Sequence, residues 1–286
     1  MCISRFEVSE ESFNLRAGGL KMAVALLQQQ NTPAGANDTR FTSCYLRYLR
    51  NKLCISCIRY IVHFTLQLGF FTYYTAAKGE VNSSGPVPID SVFIYRPDKR
   101  LELWRFAFYM FLHAGWLHLL FNLGVQVVVG LPLEMVHGSF RIAAVYMAGV
   151  LAGSLGTSVF DTDVYLVGAS GGVYALLAAH LANVLLNYNN MEFGIVRLIG
   201  IFVIASADVG FAIYDRYAAE QQQLGPPVSY VAHLTGALAG LTIGLLVLKN
   251  FEQRLHEQLL WWVALGVYAA CTIFAVMYNL MHPDYP

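Results

Sequence analysis

Apolar runs recur along this chain at lengths that match a lipid bilayer. They cover approximately Tyr60 to Ala77, Trp116 to Val136, Ile142 to Phe160, Ser170 to Leu186, Phe193 to Ile213, Ser229 to Leu248 and Leu259 to Met281. Each comes near the roughly 20 residues that a helix needs to cross a hydrocarbon core, so the pattern predicts seven transmembrane helices. Residues 1–54 lack the pattern. They are mixed, polar and basic, with Gln28-Gln29-Gln30 and Thr32-Pro33-Ala34-Gly35 breaking any periodicity, and they read as a poorly ordered tail. No early apolar core with a small-residue cleavage site marks a signal peptide there. The predicted organisation is therefore a tail over 1–54 and a membrane domain over 55–286.

Between the first two runs lies a long loop, about 78–113, too aromatic for an ordinary linker: Phe93, Tyr95, Trp104, Phe106, Phe108, Tyr109 and Phe111. Arg100, Glu102 and Arg105 alternate with these rings. That mixture predicts a segment embedded sideways in the membrane interface.

Composition agrees with a polytopic helical membrane protein: 57% hydrophobic and 13% charged residues, with a mean hydropathy of +0.51. Lys plus Arg and Asp plus Glu both total 18, a balance that points to no nucleic acid or acidic partner. Orientation is readable from placement. Arg40, Arg47, Arg50, Lys52 and Arg59 crowd the approach to the first run, which puts the N-terminus in the cytosol. Alternation then sets Arg141, Arg197, Lys249 and Arg254 at cytosolic ends, Asp161, Asp163, Asp215 and Glu220 on the luminal side, and the C-terminus in the lumen. Asn82-Ser83-Ser84 becomes a luminal glycosylation sequon, whereas Asn37-Asp38-Thr39 is cytosolic and idle. The five cysteines are odd in number and scattered. Cys54 and Cys57 form a lone CxxC without the second pair or redox context that would give it chemistry; juxtamembrane palmitoylation is the alternative to unspecialised cysteines.

Polar groups inside the runs carry the functional signal, because an unpaired one in hydrocarbon costs several kcal/mol. His118 and Asn122 are one turn apart on the second predicted helix. Ser170 opens the fourth, within Gly168-Ala169-Ser170-Gly171-Gly172, with Tyr174 one turn on. His233 lies one turn into the sixth. These three helices all run from lumen to cytosol, so at about 1.5 Å per residue their polar groups share a depth within roughly 10 Å of the luminal surface.

Gly236, Gly240 and Gly244 follow His233 at four-residue spacing, and Gly171 and Gly172 offer a matching small surface. The stripe is either packing glue or the means of bringing the Ser170 hydroxyl within reach of the His233 imidazole, the geometry of a serine nucleophile. His118 and His233 taken singly read as packing histidines rather than as catalysts, and His63, His113, His137 and His180 have no partner identifiable in the sequence. No metal is expected, since no His or carboxylate pair at i, i+3 or i+4 supplies ligands. The G-x-S-x-G string also fits the nucleophile elbow of α/β-hydrolases, but the flanking spans oppose that fold. A channel or transporter built on the luminal polar cluster would need ionisable groups continuing to the cytosolic side, where the runs are mostly Gly, Val, Leu and Phe.

Taken together, these residues resemble the rhomboid intramembrane serine proteases. The resemblance covers about Arg96 to Met281. Its motifs are Trp104-Arg105, His118 and Asn122 as H-x-x-x-N, Gly130, Glu134 and Gly138 as G-x-x-x-E-x-x-x-G, Gly168 to Gly171 as G-x-S-G, and Ala232-His233 followed by Gly236 and Gly240. The resemblance implies an all-α polytopic membrane protein, a six-helix core plus a C-terminal seventh helix as in the animal secretase-type members. It implies that Ser170 is the nucleophile and His233 the general base of a dyad without an aspartate and without a cofactor, and that His118, Asn122 and the Ser170 backbone N–H form an oxyanion hole. Tyr174 would pack on the His233 ring, and Phe193 to Ile213 would be the movable side through which a substrate enters. Asp208, the one carboxylate near this depth, receives no role in that scheme. The implied partners are the lipid bilayer and single-pass membrane proteins cleaved near the luminal end of their span. Insect members release epidermal-growth-factor-like precursors, which places the chain in growth-factor receptor signalling and in the secretory pathway, at the Golgi, endoplasmic reticulum or plasma membrane. An inactive relative that binds or traffics membrane clients is the alternative, although Ser170 and His233 are both present and Ala169 stands where inactive relatives carry proline.

Overall fold

A computed structural model describes residues 62–79, 81–83, 87–188, 193–222, 229–248 and 255–281. The chain divides into Met1–Ile55 and Ser56–Pro286, and every described residue belongs to the second unit. The tail over 1–54, the basic cluster Arg40 to Arg59, the sequon at Asn37, Cys54, Cys57, Lys249 and Arg254 lie outside the described residues.

Helices dominate. We label them α1 (62–78), α2 (Gly115–His137), α3 (Ser139–Phe160), α4 (Ser170–Asn187), α5 (Gly194–Gln222), α6 (Tyr230–Val247) and α7 (Leu255–Met281). By length and composition, α2, α3, α6 and the Trp261–Met281 part of α7 qualify as membrane spans. The chain is thus an all-helical, multi-pass membrane protein. α4 is more polar, with Ser170, His180, Asn183 and Asn187, and it occupies the centre, touching α2, α3, α5 and α6. Encirclement removes the need for apolarity: a helix shielded by neighbours keeps polar groups that lipid would leave unpaired.

α5 is longer than its apolar run, which ends at Ile213, whereas the helix continues to Gln222 and spans 29 residues. Asp215 and Glu220, expected in a luminal loop, belong to this helix. The extension Asp215-Arg216-Tyr217-Ala218-Ala219-Glu220 is rich in good helix formers, so propensity carries the helix on where hydropathy stops.

α2 contains one turn of π-helix, Gln126–Gly130, in which the Leu131 N–H donates to the Gln126 carbonyl. Pro132 explains it. Proline has no N–H to give and its ring crowds the carbonyl four residues back, and widening the preceding turn relieves both. Gln126 thereby enters the core, where its amide pairs reciprocally with that of Gln67 on α1 at 3.4 and 3.5 Å. Two of the four histidines without identifiable partners, His63 and His137, acquire them across helices, whereas both ring nitrogens of His113 and Nδ1 of His180 are buried without a hydrogen bond among the described residues. His63 on α1 bonds Gln67 at 2.7 Å and Tyr146 on α3 at 3.1 Å, and His137 on α2 meets Asn183 on α4 at 3.1 Å.

The aromatic loop is built from single turns, Pro97–Lys99, Arg105–Phe108 and Tyr109–Phe111. Arg105 is its organiser: nearly fully buried, it donates through Nη1 to the carbonyls of Ser91 (3.0 Å) and Ile94 (2.8 Å) and through Nε to Glu102 (2.7 Å). Trp104 stays half-exposed, its indole N–H on the Val92 carbonyl at 3.1 Å. At the exposed end, Arg96 holds the Asp98 carboxyl below the usual carboxylate range by a two-point hydrogen bond. An isolated bridge joins Tyr95 to Leu166 and ties the loop to the segment that leads into α4.

Candidate active site

Ser170 is the first residue of α4 and is buried. What precedes it is fixed from two sides. Gly168 adopts φ +112°, its N–H donates to the Tyr109 carbonyl at 3.1 Å, and a Cβ at this position would overlap the His118 ring. Only glycine satisfies both the backbone angle and the contact. Tyr109 is itself anchored, its hydroxyl donating to the Val150 carbonyl on α3 at 2.8 Å. Tyr109 therefore connects the interfacial loop, α3 and the serine-bearing turn, a role that no sequence periodicity announces.

On α2, His118 rests against Gly168, and the Asn122 amide donates to the His118 carbonyl at 2.7 Å. The His113 ring meets the His118 ring edge-on, with centroids 5.3 Å apart. The backbone carbonyls of Asn82 and Ser83 receive the Trp116 and Leu117 N–H groups and so cap the start of α2, while the Asn82 side chain is exposed. At the far end of α2, roughly 24 Å along the helix from His118, Glu134 is buried and Gly138 makes the turn into α3. Gly130 closes the π turn one helical turn before Glu134. These three motif residues shape the fold away from the serine, and Trp104 and Arg105 shape the loop; neither group lies among the residues gathered around Ser170.

α6 supplies the histidine. Its first turn is held by Ser229, whose hydroxyl meets Asp161 at 3.1 Å and Thr157 at 3.2 Å, with the Ala232 N–H on Ser229 Oγ. His233 follows one turn later, buried, its ring stacked on Tyr174 with centroids 4.5 Å apart and an interplanar angle of 14°. The glycine stripe brings the backbones together. A Cβ at Gly236 would run into the Gly171 carbonyl, and one at Gly240 into the Ala175 backbone. α4 and α6 thus touch main chain to main chain, one residue past Ser170 and three past His233.

Neither His233 nitrogen has a hydrogen-bond partner among the described residues, so the Ser170–His233 hydrogen bond is not made in this structure. Such bonds are commonly long before substrate binds and tighten in the reactive complex. The nearest charged group is one to which the sequence assigned no role: Asp208 Oδ2 on α5, 3.8 Å from His233 Nδ1.

Comparison with known proteins bears on the same residues. The Rhomboid domain profile matches residues 100–250, which include Trp104, His118, Ser170 and His233 and leave α1 and α7 outside. Rhomboid-related protein 2 of Mus musculus is 43% identical over 238 residues, 82% of this chain and 78% of its own length. Rhomboid-related protein 3 of Homo sapiens is 42% identical over 219 residues, 75% of this chain and 54% of its own length. Inactive rhomboid-related protein 2 of Caenorhabditis elegans is 33% identical over 201 residues, 70% of this chain and 57% of its own length. A match over half the chain, centred on the residues that gather around Ser170, carries one conclusion: the chain belongs to the rhomboid family.

Proposed function

We propose that the chain is an intramembrane serine endopeptidase with Ser170 as nucleophile and His233 as general base. The observation that carries this reading is the backbone contact between α4 and α6 at Gly171 and Gly236, with His233 stacked on Tyr174 one turn below Ser170. Ser170 Oγ attacks the scissile carbonyl carbon while His233 Nε2 takes its proton, and His233 then returns that proton to the leaving amine. Water enters from the lumen and resolves the acyl-enzyme by the same two transfers in reverse. Charge on the tetrahedral oxygen is met by the Ser170 N–H and by the side chains of His118 and Asn122, donors fixed before the reaction begins. Tyr174 keeps the imidazole in plane with its task.

The substrates we assign are single-pass proteins cleaved near the luminal end of their span, with epidermal-growth-factor-like precursors as the first class to test. Seven spans, a cytosolic N-terminus, a luminal C-terminus, glycosylation at Asn82 and residence in the Golgi, endoplasmic reticulum or plasma membrane complete the proposal. A second reading, an inactive binder of membrane clients, is favoured by the unmade Ser170–His233 hydrogen bond and by the inactive relative. Co-expression with a tagged precursor separates the two. Wild-type chain is expected to shed a luminal fragment, and Ser170→Ala and His233→Ala each to abolish it at unchanged protein level. Shedding that persists in either variant sinks the dyad.

A further inference from the structure

The end of α2 away from Ser170 keeps a carboxylate that the serine site does not use. Glu134 is only 6% exposed, its Oε1 has no hydrogen-bond partner, and no Lys or Arg pairs with it among the described residues. Burying such a group without a partner is costly, and in a membrane domain it signals a site. Glu134 lines a cavity of about 150 Å³ between α1, α2, α3 and α4. One wall is a stripe of α3, Ser139, Ile142, Ala143 and Tyr146, at the three- and four-residue spacing of a single helix face. It runs about 10 Å along the axis, from the Ser139 hydroxyl at the α2–α3 turn inward to the Tyr146 ring, and Leu176 adds apolar surface from α4. Ala143 is exposed, which leaves that edge open. At the inner end the polar groups are already engaged, His63 with Gln67 and Tyr146, and Gln126 with Gln67. The lining therefore offers an unanswered acceptor, able to carry negative charge, beside the turn and hydrocarbon beyond it.

A matching ligand brings positive charge and N–H donors to Glu134 and a short hydrocarbon to Ile142, Leu176 and the Tyr146 ring. A metal ion does not match, since among the described residues no group of three His, Cys, Asp or Glu side chains converges to hold one. The volume is about that of a cavity that admits benzene, room for roughly six heavy atoms. Depth narrows the source. At 23 residues α2 is about 35 Å long, enough to reach from one side of the hydrocarbon core to the other. His118 lies near one end, and Glu134 and Ser139 flank the turn at the other, level with lipid head groups. We propose that this cavity binds a primary ammonium carried on a short hydrocarbon, with the ammonium on the Glu134 carboxylate and Ser139 hydroxyl and the hydrocarbon along Ile142 toward Tyr146. Two sources present that chemistry: the ethanolamine head of a membrane phospholipid, entering past Ala143, and a soluble alkylamine. The proposed cleavage does not use the cavity. Its occupant nevertheless rests on the Tyr146 ring, which a Cβ at Gly172, two residues past Ser170, would overlap.

The test reads thermal unfolding of the full-length chain in phosphatidylcholine nanodiscs during titration with n-pentylamine, with 1-pentanol as the uncharged control. Pentylamine is expected to raise the wild-type Tm saturably, as a ligand of the folded state does, and pentanol to give no such rise. Glu134→Gln is expected to weaken pentylamine on the order of tenfold or more, the loss of one charge-assisted hydrogen bond. Equal pentylamine responses in wild type and Glu134→Gln overturn the proposal, and so does a pentanol response equal to that of pentylamine. Should Glu134→Gln fail to fold, Ala143→Leu decides in its place, because its larger side chain would enter the cavity from the exposed edge. It is expected to abolish the saturable rise, and an undiminished rise overturns the proposal. Replacing part of the phosphatidylcholine by phosphatidylethanolamine then identifies the source. A higher wild-type Tm to which pentylamine adds less assigns the site to the lipid head; an unchanged Tm with the full pentylamine response assigns it to a soluble amine. Both outcomes support an ammonium site.

Discussion

α6 and α5 both flank the central helix α4, and they hold it in opposite ways. α6 meets α4 through glycine, backbone against backbone at Gly236 and Gly240. α5 meets it through spaced side chains, Ile201 and Asp208, and turns Phe202 and Val203 outward at 58% and 60% exposure. In lipid no hydrophobic force drives helices together, so attachment scales with closeness of packing. The contact that aligns Ser170 with His233 is the close one. The helix that closes the side of the site is the loosely held one.

Three substitutions would break or sharpen this contrast. The largest effect belongs to Gly240→Val, because its branched carbon would meet the Ala175 main chain, which cannot rotate away. We expect destabilisation of about 3 kcal/mol or more and complete loss of cleavage, read by thermal unfolding and by shedding. Ile201→Ala removes the apolar anchor of α5. Only packing is lost, without transfer to water, so about 1–2 kcal/mol is expected, below the range for soluble cores. A loss equal to that of Gly240→Val would place α5 in the rigid core and end the contrast. Phe202→Ala, on the lipid face, should leave unfolding within about 0.5 kcal/mol of wild type. A larger loss would mean that this face is covered.

Much of this was legible in the sequence because helices impose a period. His118 with Asn122, Ser170 with Tyr174, and His233 with its glycines lie at spacings of three or four, and one helical face carries each set. What spacing cannot show is which faces meet. Tyr109 stands in a run of aromatics like any other ring, yet it alone reaches the Gly168 N–H and the Val150 carbonyl. His63 and His137 looked solitary because their partners are on other helices. Asp208 was visible as a carboxylate, but its stripe mixes a glycine, an isoleucine and an acid, which no hydropathy scale groups together. The far end of α5 escaped for a different reason: hydropathy tracks lipid, and a helix outlasts its lipid-facing run when propensity favours it.

The π turn in α2 acts as a splice between two independently phased pieces of helix. Above it, His118 rests against Gly168 and Asn122 bonds the His118 carbonyl; below it, Glu134 and His137 are aimed at the α1, α3 and α4 side. A π turn takes up one extra residue without turning the pieces that flank it, whereas removing a residue elsewhere in α2 would rotate one piece against the other by about 100°, so that either His118 and Asn122 or the anchoring face would lose its aim. The extra residue decouples orientation at the two ends of one rod, and each end can be tuned by substitution without turning the other.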